Sequence, residues 1–246
     1  MSRITRVRSA ALALALAGAA TPALAQIPGM PLFTNPRMAT GIRVHADIGQ
    51  PSEPDSTGAD LRVLQAGVGI VLGPLGIDVN VGTTKATYDI ADGCIASPSL
   101  PCADSRATVS ALAMLKIAGG GRSNLSLGLF GGGSIDLDTA EAFAGGVAQN
   151  KLVNIPVGVA IGLRIPLPIL SSLNVWGAPR YNLGRYVNCS GTCPPNPEAS
   201  FGWAAGVDMP FFRVLSVRAA YDSREVNGVT QASFGVGASF GFGGMR

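Results

Sequence analysis

Residues 153–164, VNIPVGVAIGLR, alternate without a break. Val153, Ile155, Val157, Val159, Ile161 and Leu163 share one parity, and Asn154, Pro156, Gly158, Ala160, Gly162 and Arg164 share the other. Successive side chains point to opposite faces only in a strand, so a period of two excludes a helix and predicts one greasy face and one small or polar face. The pattern recurs over 41–49, 65–72, 76–83, 106–117, 124–131, 173–183, 200–208, 213–222 and 231–242. That makes about ten strands, with eight as the alternative count. The connections alternate as well. Longer polar segments (50–59, 90–105, 138–151, 188–199, 223–229) follow the odd strands, and tighter turns (73–76, 119–124, 165–172, 209–212) follow the even ones. An even count places the two outer ends of the strand array on the short-turn side.

What solvent the greasy faces meet is decided by composition and charge placement. Charged residues are 13% of the chain, half the usual share of about 25% for soluble domains. In a soluble barrel the outer face would be rich in Lys, Glu and Thr. Here the face opposite the greasy one is mostly Gly, Ala, Ser and Asn, with isolated Arg and Asp, which suits a narrow, curved interior. On the greasy parity, charges appear only toward the long-loop ends, at Arg62, Lys85, Lys151 and Arg185. A mid-membrane Arg or Lys would cost about 2–4 kcal/mol, falling to near zero at the interface. Tyr181, Phe201, Trp203, Tyr221, Phe240 and Phe242 lie on the same parity as candidate interfacial aromatics. The expected fold is all-β: a transmembrane, antiparallel, up-and-down β-barrel, its greasy face toward lipid.

The start of the chain reads as an export signal. Arg3, Arg6 and Arg8 precede the apolar run AALALALAGAA, too short to span a bilayer, and ALAQ offers a small-x-small cleavage site after Ala25. The expected organisation is a signal peptide at 1–25, an N-terminal linker at 26–37 and the barrel at 38–246. Without the signal's three arginines the basic count falls from 18 to 15, equal to the 15 acidic residues, so the charge balance gives no reason to expect nucleic acid.

The leader, the ten alternating strands and the terminal SFGVGASFGF together resemble the small outer-membrane β-barrel (porin-like) proteins of Gram-negative bacteria, over residues 38–246. The resemblance implies the outer membrane as location and recognition of the last strand, 231–242, by the barrel-assembly machinery. In that family the last strand usually ends on a C-terminal aromatic; here Phe242 is followed by GGMR. Contact of Arg62, Lys85, Lys151 and Arg185 with lipopolysaccharide phosphates is one reading of those positions, and ordinary rim charge is the other.

Cys94 and Cys102 fall in one long connection, Cys189 and Cys193 in another. An exported chain with an even count favours disulfides, and pairing within each connection closes the shortest segments. A four-Cys metal site is the less favoured alternative, because the spacings do not give C-x₂₋₄-C on both sides.

Candidate chemistry is confined to the small-residue face. Arg43, Lys116, Arg164, Arg180 and Arg218 face Asp47, Asp78, Asp208 and Asp222 there, and His45 stands two residues from Asp47. Charges in a confined interior demand partners or water. The residues suggest no cofactor and no resident metal. His45 and Asp47 are the raw material of acid–base catalysis, but no nucleophile accompanies them, so a hydrogen-bonded polar filler is the favoured reading. Ten strands lie near the filled end of barrel sizes, while the many lumen glycines leave room. Three functions remain open: a structural or surface-interaction barrel working through its loops, a narrow pore for small solutes, and, least favoured, a lipid-modifying or proteolytic enzyme using His45.

Overall fold

The computed structural model describes residues 30–37, 39–51, 60–87, 103–119, 123–137, 151–168, 172–187, 196, 198–211, 214–226 and 229–242. The strands are β1 (Gly41–Pro51), β2 (Asp60–Leu72), β3 (Leu75–Thr87), β4 (Ala103–Gly119), β5 (Leu125–Asp136), β6 (Lys151–Ile165), β7 (Leu173–Val187), β8 (Ser200–Phe211), β9 (Leu215–Val226) and β10 (Val229–Phe242). Each pairs antiparallel with its neighbours in sequence, and β1 pairs with β10 to close the sheet into a barrel. The architecture is the all-β, ten-stranded, up-and-down barrel that the alternation predicts.

Closure leaves no sheet edge unpaired, and the pleat sorts side chains by parity. On β1, Ile42, Val44 and Ile48 are exposed while His45, Asp47 and Gly49 are buried. Ile48 is 57% exposed and its neighbour Asp47 only 2%. The outer face is a continuous apolar belt including Leu72, Val81, Leu125, Val157, Tyr181 and Phe242. A soluble monomer rarely shows apolar patches beyond a few hundred Å²; hydrocarbon is the solvent for such a surface. Every large exposed aromatic in the belt stands on β7–β10, among the described residues. Tyr181 packs edge-on against Phe201 at 6.0 Å, Trp203 against Tyr221 at 5.4 Å, and Phe240 against Phe242 at 4.9 Å.

The tight turns fall where the glycines predict. Gly73, with φ 61°, opens the reversal between β2 and β3, and Gly119, with φ 81°, ends β4. The turn read as 209–212 falls later, between Phe211 and Leu215, and one long connection also differs from expectation. The fifth odd-strand connection, read as 223–229, shrinks to Asn227-Gly228, since β9 runs to Val226 and pairs with β10 from Val229. Asn-Gly is the preferred two-residue hairpin dipeptide, and it outweighs the polarity of the SREV residues (223–226) before it. The longer strand adds an acid, Glu225, to the outward parity near the long-loop end, so that rim is not uniformly basic.

Candidate functional site: the filled lumen

Inside the barrel, sheet register brings the charged side chains together and glycines make room for them. Gly69 lies between Arg43 and Asp78 in the cross-strand row, Gly67 between His45 and Asn80, and Gly237 between Asp47 and Arg218. Each long side chain crosses over the intervening glycine to its partner two strands away. A Cβ on Gly69 would stand 2.6 Å from both Arg43 Nε and Asp78 Oδ2, and one on Gly237 would collide with Asp47 Oδ1. The glycines therefore do not leave the lumen open. Their space is occupied by neighbours' side chains.

The contacts form two networks. In the first, Arg218 donates from Nε to Asp47 Oδ1 at 2.7 Å and from NH2 to Asp47 Oδ2 at 2.6 Å, a bidentate pair buried on both sides. Arg43 NH2 meets Asp78 Oδ2 at 2.6 Å. His45 sits between the pairs, its Nε2 2.9 Å from Asp78 Oδ1 and its Nδ1 2.6 Å from Arg218 NH2 and 3.0 Å from Asp47 Oδ2. A guanidinium has no acceptor, so Nδ1 accepts from Arg218 and the ring hydrogen on Nε2 donates to Asp78. Gln65 joins the network by donating to Asp47 and Asn80. In the second network Arg180 donates to Asp222 Oδ1 at 2.6 Å and to Asn182 Oδ1 at 2.9 Å. Lys116 and Arg164 face the lumen apart from both networks, toward the short-turn end of the strands. Among the described residues no cluster of His, Cys, Asp and Glu is arranged to hold a metal.

The lumen also contains what the alternation does not announce. Residues 30–37, MPLFTNPR, assigned to the linker by sequence, run through the inside of the barrel. Met30, Pro31, Leu32, Thr34 and Pro36 are buried. Met30 packs on Val63, near the long-loop ends of β2 and β3. Pro31 lies over Gly235, and the Leu32 amide donates to Asp222 Oδ2 at 3.2 Å. The Phe33 ring lies 4.3 Å under the Arg218 guanidinium, a cation–π contact. Asn35 Nδ2 donates to Asp208 Oδ2 at 2.9 Å, and the same oxygen accepts from Trp176 Nε1 at 2.8 Å. Pro36 rests against Gly128 and Gly162, and Arg37 donates to the Ser123 and Asn124 carbonyls in the short turn after β4.

Around this segment the barrel supplies an apolar lining. Leu112, Met114, Phe130, Trp176, Ala160, Ala178, Ala204 and Ala220 are buried with Leu32 in one cluster, and Phe33 packs against it. Leu112 and Met114 share the parity of Thr108 and Ser110, and a reading that labels this face polar passes over them. A cavity beside the segment, bounded by Met30, Phe33, Gln65, Asp78, Leu112 and Arg218, has a volume of about 20 Å³, room for roughly one water.

Of the rim cations, Arg62 and Arg185 are exposed. Register sets Arg62 beside Lys85 and sets Lys151 two positions from the partner of Arg185. The side chains of Lys85 and Lys151 lie outside the described residues, as do Cys94, Cys102, Cys189, Cys193 and the signal segment.

No family model matches the sequence, and no curated protein is detectably similar to it. Solved structures do match. The beta domain of the Bordetella autotransporter Brka superposes with a TM-score of 0.52 at 13% identity, covering 83% of this chain and all of that one. The transport unit of the autotransporter AIDA-I from Escherichia coli gives 0.44 at 12% identity, with 86% and 93% of the two chains covered. Neisserial surface protein A gives 0.38 at 14%, with 82% and 98% covered. At these identities the fold is what is shared.

Proposed function

We propose that this chain, a small barrel of the outer-membrane type, is an exported outer-membrane protein with a closed lumen that acts at the cell surface through its long connections. The observation that carries the reading is the filling of the lumen. Residues 30–37 occupy the interior from the Val63 level to the β4–β5 turn, and the arginine–aspartate networks brace the wall around them. Planar-bilayer recording of the folded protein tests it. The expected trace has no steady single-channel steps; regular steps at every insertion would make it a narrow pore for small solutes.

The finer parts of the proposal follow from residue placement. Cleavage after Ala25 exposes Gln26 as the mature start. Disulfides Cys94–Cys102 and Cys189–Cys193 stiffen two long connections, and a thiol assay on oxidised protein should find no reactive thiols. Arg62, Lys85, Lys151 and Arg185 meet lipopolysaccharide phosphates, and replacing all four with Gln should weaken that binding. Strand β10 carries the assembly signal within 231–242. His45 serves as filler: its side chain is fully enclosed and both ring nitrogens are engaged. Lipase and protease assays, with His45→Ala as control, should find no activity that the variant abolishes.

A further inference from the structure

Two cross-strand rows inside the barrel, Arg43–Gly69–Asp78 and Asp47–Gly237–Arg218, set opposite charges on the two sides of a glycine. A row of the same construction on the other side of the wall breaks that rule. Gly202 of β8 lies between Arg180 of β7 and Arg224 of β9, so two guanidinium groups flank one glycine. The carboxylate beside them is already taken. Asp222 accepts from Arg180 at 2.6 Å through Oδ1 and from the Leu32 amide at 3.2 Å through Oδ2. Arg224 lies in the field of both Asp222 and Arg180, yet among the described residues it forms no ion pair and no hydrogen bond. Of the charges described there, two are positive and one is negative.

A second observation points into the same space. Asn182, 4% exposed, accepts from Arg180 Nε through Oδ1 at 2.9 Å, and that bond fixes which way its amide is turned. Its Nδ2 is left as an enclosed donor with no partner among the described residues. A Cβ on Gly202 would stand 2.9 Å from Asn182 Nδ2 and 3.1 Å from Arg224 Cβ. The bare backbone of Gly202 therefore lets the two donors stand side by side, where any side chain would wedge between them. Arg224 is only partly buried and stands one inward position beyond Asp222, toward the long-loop end of β9, so the pair faces that mouth. An enclosed donor without an acceptor and a lumenal guanidinium without a carboxylate are each costly, and one ligand satisfies both.

We propose that Arg224 and Asn182, over Gly202, form a binding site for a small monocarboxylate solute entering from the long-loop mouth. A planar carboxylate matches the fork of the Arg224 guanidinium. Its oxygens have acceptor capacity left for Asn182 Nδ2. Its single negative charge brings the balance to two against two, with Asp222 remaining on Arg180. A halide offers no planar pair of oxygens to the fork. A doubly charged phosphate overshoots the balance and brings oxygens for which the described wall holds no further free donor. The site is part of the wall, so it stands or falls separately from the reading of the lumen as closed.

The test is a nuclear magnetic resonance titration of the folded, ¹⁵N-labelled protein in detergent micelles. Sodium acetate replaces sodium chloride at constant ionic strength and pH, and the signals followed are the Asn182 side-chain amide and the Arg224 Nε–H. The Asn182 pair is identified by its absence from Asn182→Ser. The expected result is a saturable shift of both signals in the wild-type protein. Arg224→Gln should weaken acetate binding about tenfold or more, since it removes a charge-assisted pair. Gly202→Ala, which changes no charge but sets a methyl between the two donors, should weaken it as well, and Arg224→Lys, a point charge without the fork, should fall between. Heat-modifiable gel migration verifies that each variant has folded, and where one has not, the wild-type titration decides alone. A shift that grows linearly without saturating, or that leaves Asn182 and Arg224 unmoved, overturns the site. Equal saturation by sodium phosphate at lower concentration than acetate overturns the carboxylate assignment, and unchanged affinity in folded Arg224→Gln overturns the role of Arg224. None of these outcomes touches the conductance test of the closed lumen.

Discussion

The Arg218–Asp47 pair ties β9 to β1 across the inside of the wall, and its removal gives the sharpest test of how the lumen is held. Arg218→Met deletes two charge-assisted bonds to Asp47, at 2.7 and 2.6 Å, the bond to His45 Nδ1 at 2.6 Å, and the cation over Phe33. Asp47 is then left in a buried site with His45 Nδ1 at 3.0 Å and Gln65 Nε2 at 3.3 Å as remaining neighbours. Breaking a buried pair from one side costs about 3–5 kcal/mol, because the surviving charge keeps its desolvation penalty without its partner. Asp47→Asn leaves the buried Arg218 with His45 Nδ1 and the Phe33 ring but without its paired carboxylate, and should cost about as much. The double variant, Asp47→Asn with Arg218→Met, removes both charges together and should lie closer to wild type than either single, with a coupling energy of about 2 kcal/mol or more. The assay is equilibrium urea unfolding in lipid vesicles followed by tryptophan fluorescence, with the lumenal Trp176 and the outward Trp203 as reporters. If the double variant loses the sum of the two singles, the charges do not act as a pair and the account of the lumen fails.

The glycine rule predicts opposite outcomes at two positions. Gly69→Ala, whose Cβ would stand 2.6 Å from both partners of an ion pair, should cost about 1–3 kcal/mol by overpacking, while Gly177→Ala, with open space around it, should be neutral or stabilising by about 0.4–1 kcal/mol in the same urea titration. The lipid-facing belt predicts a depth profile: Val157→Arg, in the middle of β6, should destabilise by about 2–4 kcal/mol, and Ile165→Arg, at its short-turn end, by about 1 kcal/mol or less. Equal costs at the two depths would mean that β6 does not face hydrocarbon. Phe33→Ala removes the ring beneath Arg218 and should loosen the threaded segment; limited proteolysis after detergent extraction should then cut before β1 faster than in wild type, with the barrel fragment still heat-modifiable.

The period of two carries nearly all of the wall, because register locks every second residue to one solvent and a slip of one would turn the entire belt inward. That is why Val157 and Arg180 can be sorted to opposite faces from the sequence, and why Arg43, Asp47, Asp78, Arg180, Arg218 and Asp222 all stand on the inner parity. Partner choice is another matter. Which aspartate each arginine takes depends on strand adjacency across the β1–β10 closure, and Arg218 and Asp47 are 171 residues apart in the chain. Only the closed barrel, with β1 beside β10 and β10 beside β9, makes them neighbours.

Residues 30–37 escape the same logic for a physical reason. They run free of the sheet inside the barrel, so no period-two face is imposed on them, and two prolines remove the donors a ladder would use. Their signal is complementary and lies in the wall. Leu112, Met114, Phe130 and Trp176 point into a lumen whose other residues are mostly charged, polar or small, and apolar side chains there must have an apolar partner or meet water. MPLF, outside every strand, supplies that partner through Met30, Leu32 and Phe33, while Asn35 and Arg37 reach polar groups further down. The wall is therefore amphipathic twice over: outward against lipid, and inward against a segment that is itself apolar at its upper end and polar at its lower one. The match fixes the segment's direction as well as its presence, because turning it end for end would set Arg37 against Val63 and Met30 against the Ser123–Asn124 turn. The burial of an uncompensated guanidinium beside Val63 would cost several kcal/mol, so the orientation of the threaded chain is enforced by the same charge placement that closes the lumen.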